Sequence, residues 1–593
     1  MAFFAGTVNN DTFTGPNSPN TINGIDGNDA LTGGSLLDRI DGGGGNDVIS
    51  GLAGNDILDG GAGADNISSG IGKDSIDGGS GDDTISAEGG VKSLIGGTGI
   101  DTLIVDLTQS SATRTFKLNG ASSDGTTNKG FETLQYIGGS SKDAVTGGSF
   151  NDNLNGAAGN DLLNGGNGND LLSGGDAQDT LNGGDGFDRI FGEAGNDVIN
   201  TGAGGDQASG GTGNDTMTGS GEGETLNGDE DNDLIKGLAG NDALNGGLGN
   251  DNVQGGDGND VLNGSDGNDT VSGGAGDDDI TSGIGKDRLD GGDGLDTVNI
   301  FRTSEALGVR FSLDSGIGSD GSRAFNFEVL NYNGGLGNDK ITGGARRDGI
   351  SGGEGNDSLD GGGGRDDLFG GNGNDTIQGG DGVDNLDGGA GNDKISTGGG
   401  GDTSVVGGFG NDTLTGTNDS ERFFADADDD IVNASGGQDV LFGSDGNDKL
   451  NAGDGNDQLS GEAGNDSLNA GLGTDTMSGS TGIDRFIFND IEESKASTTF
   501  RDTILDFNHD DTDKIDLRGI DAKNGGADNA FHFVGTGPFK AAGDLRYRFD
   551  ADTSQVIVLG DTDGNGNADF SIALNSNAGN GNFTQLFQND FLL

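Results

Sequence analysis

Aspartate recurs every nine residues at Asp47, Asp56, Asp65, Asp74 and Asp83, again from Asp143 to Asp215, and again from Asp233 to Asp296. Each falls in a unit Gly-Gly-x-Gly-x-Asp-x-apolar-x, as in Gly60-Gly61-Ala62-Gly63-Ala64-Asp65-Asn66-Ile67-Ser68. The carboxylate supplies a hard anionic oxygen. Glycine reaches positive φ without a Cβ clash, and its bare backbone lets carbonyl oxygens converge. Calcium takes about six to eight such oxygens at roughly 2.3–2.6 Å and accepts a mixture of carboxylate and carbonyl. One turn cannot supply that set; two stacked turns can. The spacing therefore nominates as metal ligands Asp47, Asp56, Asp65, Asp74 and Asp83; Asp161, Asp170, Asp179, Asp188, Asp197 and Asp215; Asp242, Asp251, Asp260, Asp269, Asp278 and Asp287; Asp357, Asp366, Asp375, Asp384 and Asp393; and Asp448, Asp457 and Asp466. The glycines Gly60, Gly61, Gly63, Gly165, Gly166, Gly168, Gly255, Gly256, Gly258, Gly370, Gly371 and Gly373 would form the turns around them.

The elements that must hold these groups follow from the same period. The residues x-apolar-x read as a short strand whose central side chain points inward. One nonad forms a turn and a strand, and the next forms the opposite side, so a coil takes two nonads. Coils stack at about 4.7–4.9 Å. The expected fold is all-β: a parallel β-roll with a dry apolar column between two sheets and two rows of ions along the edges. On the order of one calcium ion per repeat turn would offset most of the formal charge of -70.

Composition alone argues otherwise. Only 29% of the 593 residues are apolar and 129 are glycine, the signature of a disordered polyanion. A disordered tract has no reason to place Leu, Ile or Val two residues after each Asp, so the phase decides for an ordered repeat. Without cations the carboxylates repel and drive the chain open, which predicts a conditional fold. The chain has no cysteine, which excludes disulfides and thiolate metal sites. Its charge has the wrong sign for nucleic acid. No run has the length of a transmembrane segment, and the first residues lack the basic and apolar regions of a cleaved signal.

In organisation, a first array is expected at 1–103, a β-rich insert at 104–138, a second array at 139–298, a second insert at 299–334, a third array at 335–487 and a C-terminal β-rich, sandwich-like unit at 488–593. Lys92 stands where an Asp is due and reads as a defect in the first array. The inserts match each other: Phe116 and Leu118 then Phe131, Leu134 and Tyr136 in one, Phe311 and Leu313 then Phe327, Leu330 and Tyr332 in the other. The third array keeps nine-spacing from Asp339 to Asp402 and slips by one residue to Asp412.

Units such as Gly78-Gly79-Ser80-Gly81-Asp82-Asp83-Thr84-Ile85-Ser86 resemble the RTX, or haemolysin-type, calcium-binding repeat. The resemblance implies a parallel β-roll, calcium between turns, and export by a type I machine that reads an uncleaved C-terminal signal. The tail, with Asp484-Arg485-Phe486-Ile487-Phe488, Asp502 to Phe507 and Asp513 to Leu517, resembles the C-terminal domain of serralysin-type secreted proteases, and Asp590-Phe591-Leu592-Leu593 resembles the end of their export signals. Their zinc motif is missing: the two histidines, His509 and His532, belong to no His-Glu-x-x-His. Asp561, Asp563, Asn565, Asn567 and Asp569 match the first nine positions of an EF-hand-type loop, but the twelfth is Ile572. That segment reads either as an extra calcium site or as a turn held by Asx hydrogen bonds.

No catalytic constellation emerges. Gly349-Ile350-Ser351-Gly352-Gly353 matches a nucleophile elbow, but Ile350 falls in the apolar phase of the repeat. The repeats begin near Asp11, so no passenger enzyme is expected. The resulting expectation is an extracellular, secreted or cell-surface, non-enzymatic calcium-binding protein with a coat, adhesion or motility-related role. Its partners would be calcium, the type I secretion machinery and either a cell-surface polysaccharide or further copies of itself. The rival expectation is a secreted hydrolase or toxin with its active site in the inserts or tail.

Overall fold

The computed structural model describes residues 2–302, 307–401, 404–510, 512–523, 529–575 and 585–593. Asp402 of the third array lies outside them. The chain forms two compact units, Met1–Thr297 with Ser322–Asn326, and Val298–Gly321 with Phe327–Leu593.

Within the first unit the chain alternates between two faces, and each strand pairs in parallel with the strand two elements on. Leu58 lies opposite Ile76, and Leu172 opposite Ile190, a step of 18 residues in each case. The apolar residue of each nonad forms the core: Leu163, Leu172, Leu181, Ile190 and Ile199 are completely buried. In regular copies the strand is longer than the three residues expected. It runs on through both glycines, as in Leu162–Asn167, and pairing resumes at Gly166 opposite Gly184. The first glycine of the nonad points inward like the apolar residue. The second and fourth positions carry positive φ, as at Gly61 (102°) and Gly63 (129°), where a Cβ would be strained.

The first insert is an enlarged coil of the same solenoid. Thr102–Asp106 pairs in parallel with Thr133–Ile137, Leu103 opposite Leu134. On the other face Thr127–Lys129 closes a seven-stranded sheet, and Arg114–Lys117 opens an eleven-stranded one. The aromatic residues of the insert go into the core: Phe116, Phe131 and Tyr136 are at most 5% exposed.

The second unit repeats this construction. Arg310–Ser312 opens a 13-stranded sheet by pairing with Lys340–Thr342, and Phe311, Phe327 and Tyr332 are buried. At its far end the tail prolongs both faces. Phe486 pairs with Ile515, and Ile515 with Phe591; Met477 pairs with Ile504, and Ile504 with Leu574. An antiparallel sheet of Asp544–Asp550, Gln555–Asp561 and Phe570–Asn575 then covers the end of one face.

Candidate metal centre

The strands fix the framework acids in two rows per unit. In the regular coils the backbone N–H of a framework residue donates to Oδ1 of the acid one coil on: Asp47 to Asp65 at 2.7 Å, Asp65 to Asp83 at 2.8 Å, Asp170 to Asp188 at 2.7 Å, Asp357 to Asp375 at 2.7 Å. These carboxylates are buried, at no more than 3% exposure. Of the acids nominated by spacing, all but Asp74, Asp287 and Asp384 keep Oδ2 buried with no hydrogen-bond partner among the described residues. A lone carboxylate oxygen withdrawn from water is costly. Repetition of that cost along both rows calls for a cation.

The surroundings of Oδ2 fit one. A Cβ placed on Gly370 would stand 2.5 Å from both Asp375 Oδ2 and Gly388 O, which belongs to the next coil. Gly60, Gly165 and Gly255 have the same two neighbours in their own frame. The inward glycine therefore leaves a carboxylate oxygen and a carbonyl oxygen facing one small space. A positive group of the chain itself marks the other oxygens. The Lys92 ammonium donates to Asp74 Oδ2 at 2.5 Å, Gly70 O at 2.9 Å and Gly72 O at 3.4 Å. In the nonad these are the Asp and the carbonyls of positions two and four, equivalent to Asp65, Gly61 and Gly63. Hard oxygens of this type suit calcium.

Electrostatics point the same way. Burial pushes the Asp65 carboxyl up to about 7; the amide of Asp47 pulls it down, and the charges of Asp83 and Asp47 raise it further. Asp170, Asp179, Asp215 and Asp269 also reach about 7 with burial as the main cause, and Asp430 reaches about 8. A divalent ion at Oδ2 reverses this by favouring the ionised form.

Some acids have partners from the chain instead. Ser282 Oγ donates to Asp287 Oδ2 at 2.6 Å, the Gly148 amide to Asp152 Oδ2 at 2.5 Å, the Gly344 amide to Asp348 Oδ2 at 2.6 Å, and the Tyr332 hydroxyl to Asp339 Oδ2 at 3.0 Å. Glu224 and Glu421 fill framework positions and accept from Ser220 and Thr417.

Spacing missed two further members of the rows. The Asp475 amide donates to Asp502 Oδ1 at 2.9 Å and the Asp484 amide to Asp513 Oδ1 at 3.0 Å, over 27 and 29 residues. Burial lifts Asp502 to about 8. The legible signals were an Ile two residues on in both, Ile504 and Ile515, and for Asp502 the nine-residue phase itself, since it lies 18 residues after Asp484. Asp206, Asp233, Asp439, Asp475 and Asp484, all in nine-residue phase, share the unpartnered Oδ2 of the nominated acids.

In the tail loop, oxygens of Asp561, Asp563 and Asp569 lie within 4.8 Å of one another. Asp561 accepts the Gly564 and Gly566 amides, and Gly566 has φ 84°. Asn565 Oδ1 accepts the Asn567 amide at 2.7 Å. The histidines are paired: His509 Nδ1 lies 2.6 Å from Asp590 and His532 Nδ1 3.1 Å from Asp544.

The model of the RTX calcium-binding nonapeptide repeat matches this chain in overlapping stretches that together span residues 6–103, 137–298 and 333–486. No curated protein matches it. Among solved structures, 33 chains match. They include the solution structures of two subunits of the Azotobacter vinelandii mannuronan C5-epimerase. AlgE6R3 is 25% identical, with 26% of this chain and 74% of that one covered, at a TM-score of 0.14. AlgE6R2 is 24% identical, with 32% and 91% covered, at a TM-score of 0.17. TM-scores this low carry no argument. The family match covers well over half of the sequence and falls on the coils whose buried carboxylates lack partners, and this chain belongs to the RTX calcium-binding nonapeptide repeat family.

Proposed function

We propose that the chain is a secreted, non-enzymatic protein of the cell surface or extracellular matrix whose arrays order when extracellular calcium is ligated. The observation that carries this reading is the double row of buried Asp Oδ2 atoms, most of them facing a backbone carbonyl of the next coil and lacking a donor among the described residues. Calcium supplies the positive charge that allows these oxygens to be buried together. The framework acids would hold it with the carbonyls of the first, second and fourth positions of the nonad, on the order of one ion per turn. Cytosolic calcium is too scarce to populate weak sites, so the chain stays threadable for a type I export machine. Millimolar calcium outside suits sites of the extracellular class, and binding free energy becomes folding free energy.

The non-enzymatic reading is supported by the position of Ser351. It lies inside the strand Gly349–Glu354, opposite Asn333 and Phe369, and on no strained turn. The buried aromatic residues of the inserts favour a packing role there. The surface role itself, as a coat, adhesive or motility-related layer, would use a polysaccharide or further copies of the chain as partner.

A calcium titration followed by circular dichroism tests the reading. Disordered spectra in chelator and cooperative gain of β-structure near millimolar calcium are expected. Magnesium should serve poorly, because it demands near-octahedral geometry at about 2.0–2.1 Å. Full β-structure in chelator, or equal folding in magnesium, defeats the proposal.

A further inference from the structure

One coil of the first unit carries a cation of its own. Lys92 occupies a framework position in phase, and its side chain is 2% exposed. Its ammonium touches the Asp74 carboxylate and the carbonyls of Gly70 and Gly72. Of these, the carboxylate oxygen is the one that the nonad elsewhere leaves without a donor. The groups around it are also supplied by the chain. The Lys92 amide, which in a regular copy would donate to a framework Asp, donates to Thr126 Oγ1 of the insert at 3.2 Å. The Asp101 amide donates to Glu132 Oε2 at 2.9 Å. On the other side of the insert, the Gly148 amide takes Asp152 Oδ2. The enlarged coil is locked further from within: Asn128 Nδ2 donates to Lys117 O at 3.0 Å, and Asn119 Nδ2 to Phe131 O at 2.7 Å.

We infer that Lys92 is a covalently tethered replacement for one calcium ion, and that the turn it closes, from Ser69 to Lys92, orders without metal. This rests on the calcium reading above and goes beyond it by assigning the site an occupant. A tethered ammonium does not have to be captured from solution, so its occupancy is independent of calcium concentration. In a solenoid each coil is stabilised by its neighbours, and the first coils to order bear the greatest cost. A metal-independent segment gives the flanking calcium-dependent coils an ordered end on which to stack when the ion arrives.

Hydrogen–deuterium exchange of the full chain, in excess chelator and in millimolar calcium, tests this. In chelator, the amides of Ser75–Ser80 and Ser93–Thr98 are expected to exchange about 100-fold more slowly than those of Leu162–Asn167 and Thr270–Ala275. Lys92→Met should abolish that difference in chelator. Lys92→Asp restores a framework Asp in phase and guards against a variant that merely fails to fold. It should take up one calcium ion more than the parent, counted by native mass spectrometry, and its Ser75–Thr98 region should be protected only with calcium present. Uniformly fast exchange in chelator with calcium restoring protection throughout overturns the role of Lys92 and leaves the calcium reading standing. Uniformly slow exchange in chelator overturns the calcium reading and this inference with it. An unchanged calcium count in Lys92→Asp also overturns the inference.

Discussion

Regular coils such as those around Asp170 and Asp188 differ from the coils beside the inserts in one respect: what meets the second carboxylate oxygen. In the regular coils nothing of the chain does, and the inward glycine keeps a small space open next to it. Beside the inserts a lysine, a tyrosine or a glycine amide fills that role at Asp74, Asp339, Asp152 and Asp348, although Asp101 keeps its second oxygen unpartnered. The backbone, the strand register and the apolar column are shared. The solenoid is therefore not intrinsically metal-dependent. What makes a coil conditional is the decision to leave a buried anion unpaired.

The largest test of this comparison acts on all the array carboxylates at once. In chelator, folding raises the pKa of Asp170, Asp179, Asp215 and Asp269 to about 7 from an unfolded value near 4. A raised folded pKa means that protonation favours the fold. The stabilisation is complete below pH 4 and is lost as pH rises through about 6 to 7. Metal-free arrays should thus gain β-structure on acidification from pH 8 to 5, read by circular dichroism. The additional Gly148 amide lowers the Asp152 carboxyl, opposing the rise that burial causes. With calcium present the sign reverses, since acid protonates the ligands and releases the ion. A metal-free array that loses structure on acidification would contradict the assignment.

A glycine pair in the second unit sharpens the comparison further. A Cβ at Gly370 would stand 2.5 Å from Asp375 Oδ2 and Gly388 O, in the space meant for the cation. A Cβ at Gly344 would meet the end of the flexible Leu313 side chain at 2.8 Å and leave the amide bond to Asp348 in place. Gly370→Ala should cost about 3 kcal/mol and Gly344→Ala about 1 kcal/mol. The midpoint of the calcium titration should move markedly only for Gly370→Ala. Equal shifts would mean that the inward glycine serves packing and not the ion.

The nonad exposed most of this in the sequence. Phase alone located the core column and the acid rows, because both the side-chain alternation of a strand and the coil length are locked to it. What it could not carry were the places where phase is replaced by contact. Lys92 reads as a defect because the period reports only the absence of Asp; that its ammonium bends back to Asp74 depends on reach across one coil. Asp502 rejoins its row over 27 residues, still in nine-residue phase but past a gap in the repeat, and Asp513 over 29, a step no period predicts. Glu132 and Thr126 act for framework acids from within an insert whose looping is set by tertiary pairing of Leu103 with Leu134. The six-residue strands were also hidden, since glycine has low strand preference and enters the ladder here only because the next coil offers the same backbone.

The most local effect belongs to Tyr332→Phe. The ring is 2% exposed and its hydroxyl donates to Asp339 Oδ2 at 3.0 Å. The substitution keeps the packing and removes only that donor. A hydrogen bond to a charged acceptor is worth about 1.5–3 kcal/mol, so in chelator the coils around Asp339 should open about tenfold more readily, measured by hydrogen exchange of Lys340–Thr342. Adding calcium should recover part of the loss, because the carboxylate then resembles its neighbours Asp357 and Asp375 in the same row. Tyr332→Ser removes the ring as well and should not be recoverable in this way. Recovery of Phe but not Ser by calcium would show that the hydroxyl and the ion are interchangeable at one position of one scaffold. Failure of calcium to recover Phe would mean that coils beside the inserts lack the carbonyl set as well as the free oxygen.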